Sequence, residues 1–401
     1  MSVFSLVGAR PQAAATCVAG KFSIGHNDDG KSIKDYLNFF KSCKSMAPKA
    51  QEDLNPVYIE YNDTIDNGTK RSIDYAKRLK LGEGSYGEVH MYVADDVWHD
   101  HIMQSESIPT DVPSNFAVKY IKRTEEVDTE VKALSILNNE HHTLAAEARL
   151  ANTSCFLMPV CDGDLDKLAG SKPLTLDATL NILHACLELL ANLWKHGVSY
   201  MDIKAGNMLY VACDKHMASN SESAVDIRIL LGDLGSVHPI IKEGVDICYG
   251  VTFPFPASCR SDGSTLVSAK GMLWAVAVMG IQLMGSQWFP TDKAVWRHDI
   301  TCAHYHYRSV KKELGMNVIK DTYSPQNKER VYNKLCIQMF KDIDFICKDE
   351  NMSPDATKHV RGAFHALTYV GDGTSVHQFD NALKLLKLAE LKCENDNFNL
   401  K

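Results

Sequence analysis

The sequence predicts an α+β chain, sheet-rich in its first part and helical in its second, on three observations. Strand-like alternation of apolar and polar residues runs through LKLGEGSYGEVHMYVAD, starting at Leu79, and FAVKYI, starting at Phe116. Apolar residues recur at helical spacing over Leu180–His196, then over Met272–Met284, Lys328–Ile346 and Asp355–Leu367. No segment repeats another. At 401 residues the chain is long enough for two parts with sizeable cores, and its 45% hydrophobic and 23% charged content is ordinary for a globular protein.

Composition removes several function classes. A formal charge of -7 and the lack of any long Lys/Arg run argue against nucleic acid as a partner, because neutralising a phosphate backbone needs a basic face. Twelve cysteines without a CxxC pair fit free thiols in a reducing, intracellular compartment, cytoplasmic or nuclear. Cys302, His304 and His306 lack a fourth ligand at a familiar metal spacing. The start, MSVFSLVGARPQAAA, is not a signal peptide, and Gly271–Gly285 is too short for a membrane helix, so no membrane partner is expected.

Along the chain, residues 1–73 mix Gly, Ala, Ser and Asp around one amphipathic patch, Ile33–Phe40, and are expected to form a partly mobile extension outside the main fold. A sheet-rich part follows over 74–158. In it Gly82, Gly84 and Gly87 join two strands and permit backbone amides to lie close over a phosphate chain. In a dinucleotide-binding fold this pattern opens a helix, whereas here Glu88–Val93 reads as another strand. Residues 95–115, with Pro109 and Pro113, read as a long loop.

Lys119 lies in an apolar run, where it is either an edge-strand lysine in water or a buried cation that needs an anion. The helix-like TEVKALSIL (129–137) offers Glu130 as that anion, with Glu126 as competitor. SCFLMPV (154–160) reads as a strand, and Asp162, Gly163 and Asp164 turn the chain into a helical part expected over 159–390, with 391–401 as a tail.

The sequence HGVSYMDIKAGNML (196–209) follows the first long helix. Asp202, Lys204 and Asn207 stand there at offsets of zero, two and five. A carboxylate can take a proton from an attacking hydroxyl, an ammonium can neutralise a moving phosphoryl group, and an amide oxygen can hold magnesium. Any polar loop between a helix and a strand could carry these residue types, so this one match does not decide the matter. Further on, Ile227–Leu231 reads as a strand delivering Asp233 between Gly232 and Gly235, placed to bind magnesium that bridges phosphates, or else as a plain turn.

Taken together and in order, LGEGSYGEV, FAVK, Glu130, YMDIKAGN and GDLG resemble the protein-kinase signature set across residues 75–257. That resemblance implies a bilobal fold, with a small antiparallel-sheet lobe bearing one helix, a hinge at Met158–Cys161, a larger helical lobe, and ATP between the lobes. It implies ATP contacts from Gly82, Glu83, Gly84, Ser85, Gly87 and Val89, with Ala117, Met158, Val160, Cys161 and Leu209 around the base. Lys119 would contact the α and β phosphates, anchored by Glu130. Asp202 would be the catalytic base, Lys204 would stabilise the transferred group, and Asn207 and Asp233 would hold Mg2+.

Lys204 after the base, and Thr252 in YGVTFPFPA as its neighbour, resemble the serine/threonine branch, so protein substrates are the implied partners. The alternative is a pseudokinase that binds nucleotide or a partner without catalysis.

The chain departs from the family pattern in ways that resemble kinases of large DNA viruses, which would place it in a host cell. Tyr200 and Met201 stand where His and Arg are usual, leaving no arginine to receive an activation-loop phosphate. Leu234 replaces phenylalanine, and Met272 stands where an aspartate commonly braces the catalytic loop. FPFPASCR lacks the usual glutamate of Ala-Pro-Glu, and Thr368–Phe379 supplies no arginine partner, so both halves of that ion pair are gone.

Overall fold

The computed structural model describes residues 45–48, 57–62, 70–84, 87–94, 115–121, 146–150, 153–158, 160–170, 173–212, 227–244, 246–248, 251–252, 255–260, 264–285, 325–369 and 375–399. They are mixed α and β, in two compact units: Met1–Asp164 with Leu209–Gly235, and Leu165–Met208 with Ser236–Lys401. Ile33–Phe40, the Cys302/His304/His306 trio, Tyr249, Ser85 and Glu130 lie outside the described residues.

The first unit is built on a seven-stranded antiparallel sheet. Its strands are β1 (Ser45–Pro48), β2 (Val57–Asn62), β3 (Lys70–Gly84), β4 (Gly87–Ala94), β5 (Asn115–Ile121), β6 (Ala146–Leu150) and β7 (Thr153–Met158), in the order β1-β2-β3-β4-β5-β7-β6. The strand–glycine–strand reading corresponds to β3 and β4, which pair up to Gly84↔Gly87. Register shifts at Lys77/Leu79 and Lys80/Gly82 bend β3 as it approaches its glycines.

Part of the segment read as an extension joins this sheet. β1 and β2 lengthen the sheet, β2 pairing with β3 from Val57↔Tyr75 to Asn62↔Lys70, and the expected boundary at 73/74 falls inside β3. The reason is visible in VYIEYN, where four of the six residues, Val57, Tyr58, Ile59 and Tyr61, are β-branched or aromatic. Residues 209–235 return to this unit through a small sheet of β8 (Gly163–Asp164), β10 (Met208–Ala212) and β11 (Ile227–Leu231), ordered β11-β10-β8.

The second unit is mainly helical. Among the described residues its helices are α1 (Leu165–Gly170), α2 (Leu176–Lys195), α3 (Ala269–Leu283), α4 (Pro325–Asp349), α5 (Pro354–Thr368) and α6 (Ser375–Asn399). Three begin with side-chain caps. Thr175 accepts from the Ala178 amide, Ser268 from Gly271 and Ser353 from Ala356, each satisfying a first-turn N–H that the helix cannot. Helix α2 closes at His196, where Gly197 takes φ +74°, a conformation that suits glycine.

Helix α3 is the hydrophobic axis of this unit: 13 of its 15 residues are buried, as an all-round apolar helix must be. A Cβ on Gly280 would fall 2.6 Å from Leu183, so the missing side chain lets α3 lie close against α2. Helix α6 buries Phe379, Ala382, Leu386, Ala389 and Cys393 at three- and four-residue spacing. It continues to Asn399, so most of the segment expected as a tail from 391 is helical. No described helix is long and apolar enough to cross a membrane.

Candidate active site

The residues singled out from the sequence fall in both units. In the second unit, strand β9 (Val198–Tyr200) pairs antiparallel with β12 (Val237–Pro239), Tyr200 opposite Val237. Tyr200, Met201 and Ile203 turn into the core, each no more than 2% exposed, and fix the backbone on both sides of Asp202. A single 3-10 turn over Ala205–Asn207 then ends the loop.

The Tyr200 and Met201 departures thereby have a physical account. Met201 packs on α3 at Gly271, where an added Cβ would come within 2.9 Å of its Cε, and Met272 beside it is fully buried. The loop bearing Asp202 is supported here by apolar packing.

Four donors converge on the Asp202 carboxylate. Oδ1 accepts from the Thr252 amide at 3.2 Å and from the Thr252 hydroxyl. Oδ2 accepts from Lys204 Nζ at 2.5 Å and Asn207 Nδ2 at 3.1 Å. Asn207 Nδ2 also donates to the Asp202 carbonyl at 2.9 Å, closing the loop on itself. Thr252, expected beside Lys204, reaches Asp202 directly, and Lys204 occupies the other oxygen of that carboxylate. Buried Cys248 is nearby, its thiol pushed up to about 12 by burial and then by the charge of Asp202, so it stays protonated and is no nucleophile.

Sequence reasoning missed how the segment between β12 and Thr252 is held. The Asp246 carboxylate accepts from the amides of Ile241 at 2.7 Å and Lys242 at 2.6 Å, folding the turn around one anion. Gly244, at φ +72°, donates to the Val267 carbonyl, and Val267 donates to that of Asp246. Glu243 accepts from the Ala269 amide at 3.2 Å, placing a negative charge at the start of α3. β13 (Ile247–Cys248) pairs with β14 (Thr265–Leu266). No local sequence signal marks Asp246, since its partners are fixed only by the turn. Asp246→Ala is expected to lower the unfolding free energy by about 1–2 kcal/mol, the scale of a lost cap, read from urea denaturation of both proteins.

In the first unit, Lys119 lies mid-strand in β5, 2% exposed, with Nζ 3.2 Å from Asp233 Oδ1. The Gly235 amide donates to the same oxygen at 3.3 Å. Both anions weighed for Lys119 in the sequence, Glu130 and Glu126, lie outside the described residues; among the described residues Asp233 is an anion that meets it. The missing side chain of Gly232, beside Asp233, leaves room for Leu209, because a Cβ there would lie 2.9 Å from Leu209 Cγ.

Six residues expected to contact ATP share one apolar cluster: Val89, Ala117, Val160, Cys161 and Leu209, with Met158 packed against it. Leu81, Leu230 and Met91 join them and were not singled out from sequence, although the strand alternation carries all three. The Asp162 amide donates to the Tyr210 carbonyl at 3.1 Å, fixing the chain after Cys161. Gly82, Glu83, Gly84 and Gly87 lie at the paired ends of β3 and β4.

No protein-family model matches the chain, and no curated protein matches it in sequence. Among the described residues no group of three or more His, Cys, Asp or Glu could hold a metal ion. The two residues with a magnesium role in the sequence reading, Asn207 and Asp233, are of the oxygen-donor kind that this ion takes. Asn207 fits that role within its own unit: its NH2 is committed to Asp202, which leaves the amide oxygen as the ligating atom.

Proposed function

We propose that the chain is a serine/threonine protein kinase of bilobal kinase fold, transferring the γ-phosphoryl group of ATP to a protein hydroxyl with Mg2+ as cofactor. The observation that carries this reading is the environment of Asp202. A carboxylate offers about four lone-pair positions, and the Thr252 amide, Thr252 hydroxyl, Lys204 and Asn207 supply four donors to it. A substrate hydroxyl can be accepted only when one donor leaves.

Lys204 is that donor. Its ammonium ends a flexible chain that is 20% exposed, while the Asn207 and Thr252 amide contacts are tied to backbone geometry. Turning from Asp202 to the transferring group, Lys204 frees a lone pair for the hydroxyl and brings positive charge to the phosphoryl oxygens in one movement. Asp202 then takes the hydroxyl proton as the new O–P bond forms and the bond from the γ-phosphorus to the β,γ-bridging oxygen breaks, so that ADP leaves. Lys119 holds phosphate oxygens, and the Val89, Ala117 and Leu209 cluster offers apolar surface to the base. When bound, Mg2+ neutralises charge between the phosphates, and Asn207 and Asp233 are the residues to hold it.

The test is incubation with Mg2+ and γ-labelled ATP, alone and with a generic basic or acidic protein. Label is expected on serine and threonine after acid hydrolysis. ATP binding without label transfer, in wild type and Asp202→Asn alike, would favour a nucleotide-binding scaffold instead.

A further inference from the structure

We propose that Phe255, Trp274 and Tyr332 form a three-ring anchor whose role is to position Thr252 on Asp202. The Thr252 contacts work only if the segment following Thr252 is held against the body of the second unit. In kinases of the resembled family an ion pair is expected there, and FPFPAS contains no carboxylate to make it.

The Phe255 ring lies 6.0 Å from Trp274 on α3 and 5.8 Å from Tyr332 on α4, the latter edge-on at 84°. Trp274 and Tyr332 are themselves 5.8 Å apart, which closes a triangle at separations where aromatic rings attract. Phe255 and Trp274 are 3% and 2% exposed, so the contact is made out of water. The Tyr332 hydroxyl donates to the Thr368 carbonyl at 2.6 Å, tying the triangle to the end of α5.

The backbone beside Phe255 is equally constrained. Its carbonyl accepts the Ser258 amide at 2.9 Å and the Cys259 thiol at 3.4 Å, forming the one-turn 3-10 helix Pro256–Ser258. The Ser258 hydroxyl meets that of Ser268, the cap of α3, at 3.5 Å, and Lys328 at the start of α4 donates to the Ala257 carbonyl at 3.4 Å. Phe255, three residues after Thr252 in sequence, is thus fixed on the same two helices. Phe255, Trp274 and Tyr332 touch no reacting atom, so they are positioning residues. This inference rests on the kinase reading for its effect on turnover, though not for its effect on Thr252.

Three variants test it. Phe255→Leu and Tyr332→Leu each remove a ring and keep apolar bulk, and Tyr332→Phe keeps the ring and removes the hydroxyl. Ring loss is expected to lower kcat by roughly 10-fold or more, as misplacing a catalytic group does, with KM for ATP within about twofold because Lys119 and the apolar cluster are untouched. Amide exchange of the peptide spanning 249–258 should quicken by about 10-fold with α2 unchanged. Tyr332→Phe should stay within about threefold of wild type on both readouts.

Unchanged exchange in both ring-loss variants would overturn the proposal. Exchange quickened equally across α2 and α3 would also overturn it, by showing a general core role. If wild type transfers no phosphoryl group, the kinase reading fails and the exchange measurement still decides whether the rings hold Thr252.

Discussion

Asparagine at position 202 is expected to reduce kcat by roughly 10³-fold, within the range for losing a general base, with ATP affinity near that of wild type. The substitution is nearly isosteric, but one acceptor oxygen becomes an NH2 group. Both oxygens of Asp202 receive two donors in the native loop, so either orientation of the amide sets donor against donor. With the NH2 toward Thr252 that residue is released; with it toward Lys204 and Asn207 the ammonium loses its anion. Neither form takes a proton from a hydroxyl. Single-turnover transfer measured beside equilibrium ATP binding separates the two effects. A variant retaining more than about a tenth of the wild-type rate would remove Asp202 from the base role.

Lys119→Met should be the other severe change. Methionine preserves most of the apolar stem in β5 and deletes the ammonium, leaving the Asp233 carboxylate without the cation at 3.2 Å. Loss of one fixed charge aimed at a phosphate predicts a fall in kcat/KM of roughly 10²- to 10³-fold. Because the pair lies in a buried position, Lys119 being 2% exposed, the unfolding free energy should also fall, by about 3 kcal/mol, the lower end for breaking such a pair from one side. Restoring stability with Lys119→Met/Asp233→Asn while activity stays lost would separate the structural cost from the catalytic one. Activity retained by Lys119→Met would show that the lysine does not serve the phosphates.

Much of the architecture was legible where local pattern and tertiary environment agree. Ile227–Leu231 is a strand with the bounds read from its apolar run, and the two strands read around the glycines are β3, which ends at Gly84, and β4, which starts at Gly87. The apolar run from Gly271 is a buried helix, α3. The misses have a common cause. β1 and β2 are short and sit in a background of polar and turn-forming residues, and they become strands because β3 offers an edge to pair with. Helix α6 was blurred because two of its buried positions are alanines, which leave a weak apolar stripe among its lysines and glutamates.

At the site, sequence spacing grouped Asp202, Lys204 and Asn207 because they are local. It gave no distance between residues 50 or 114 apart, which is how far Thr252 lies from Asp202 and Asp233 from Lys119. Residue identity named the participants; the partner of each charge had to come from the folded chain.

The apolar seat beneath the loop that carries Asp202, Met201 against Gly271, has a thermodynamic signature of its own. Ionic braces slacken in concentrated salt, whereas hydrophobic ones are indifferent to screening and weaken on cooling. Cold, more than brine, is therefore the condition under which the loop bearing Asp202 loses its footing.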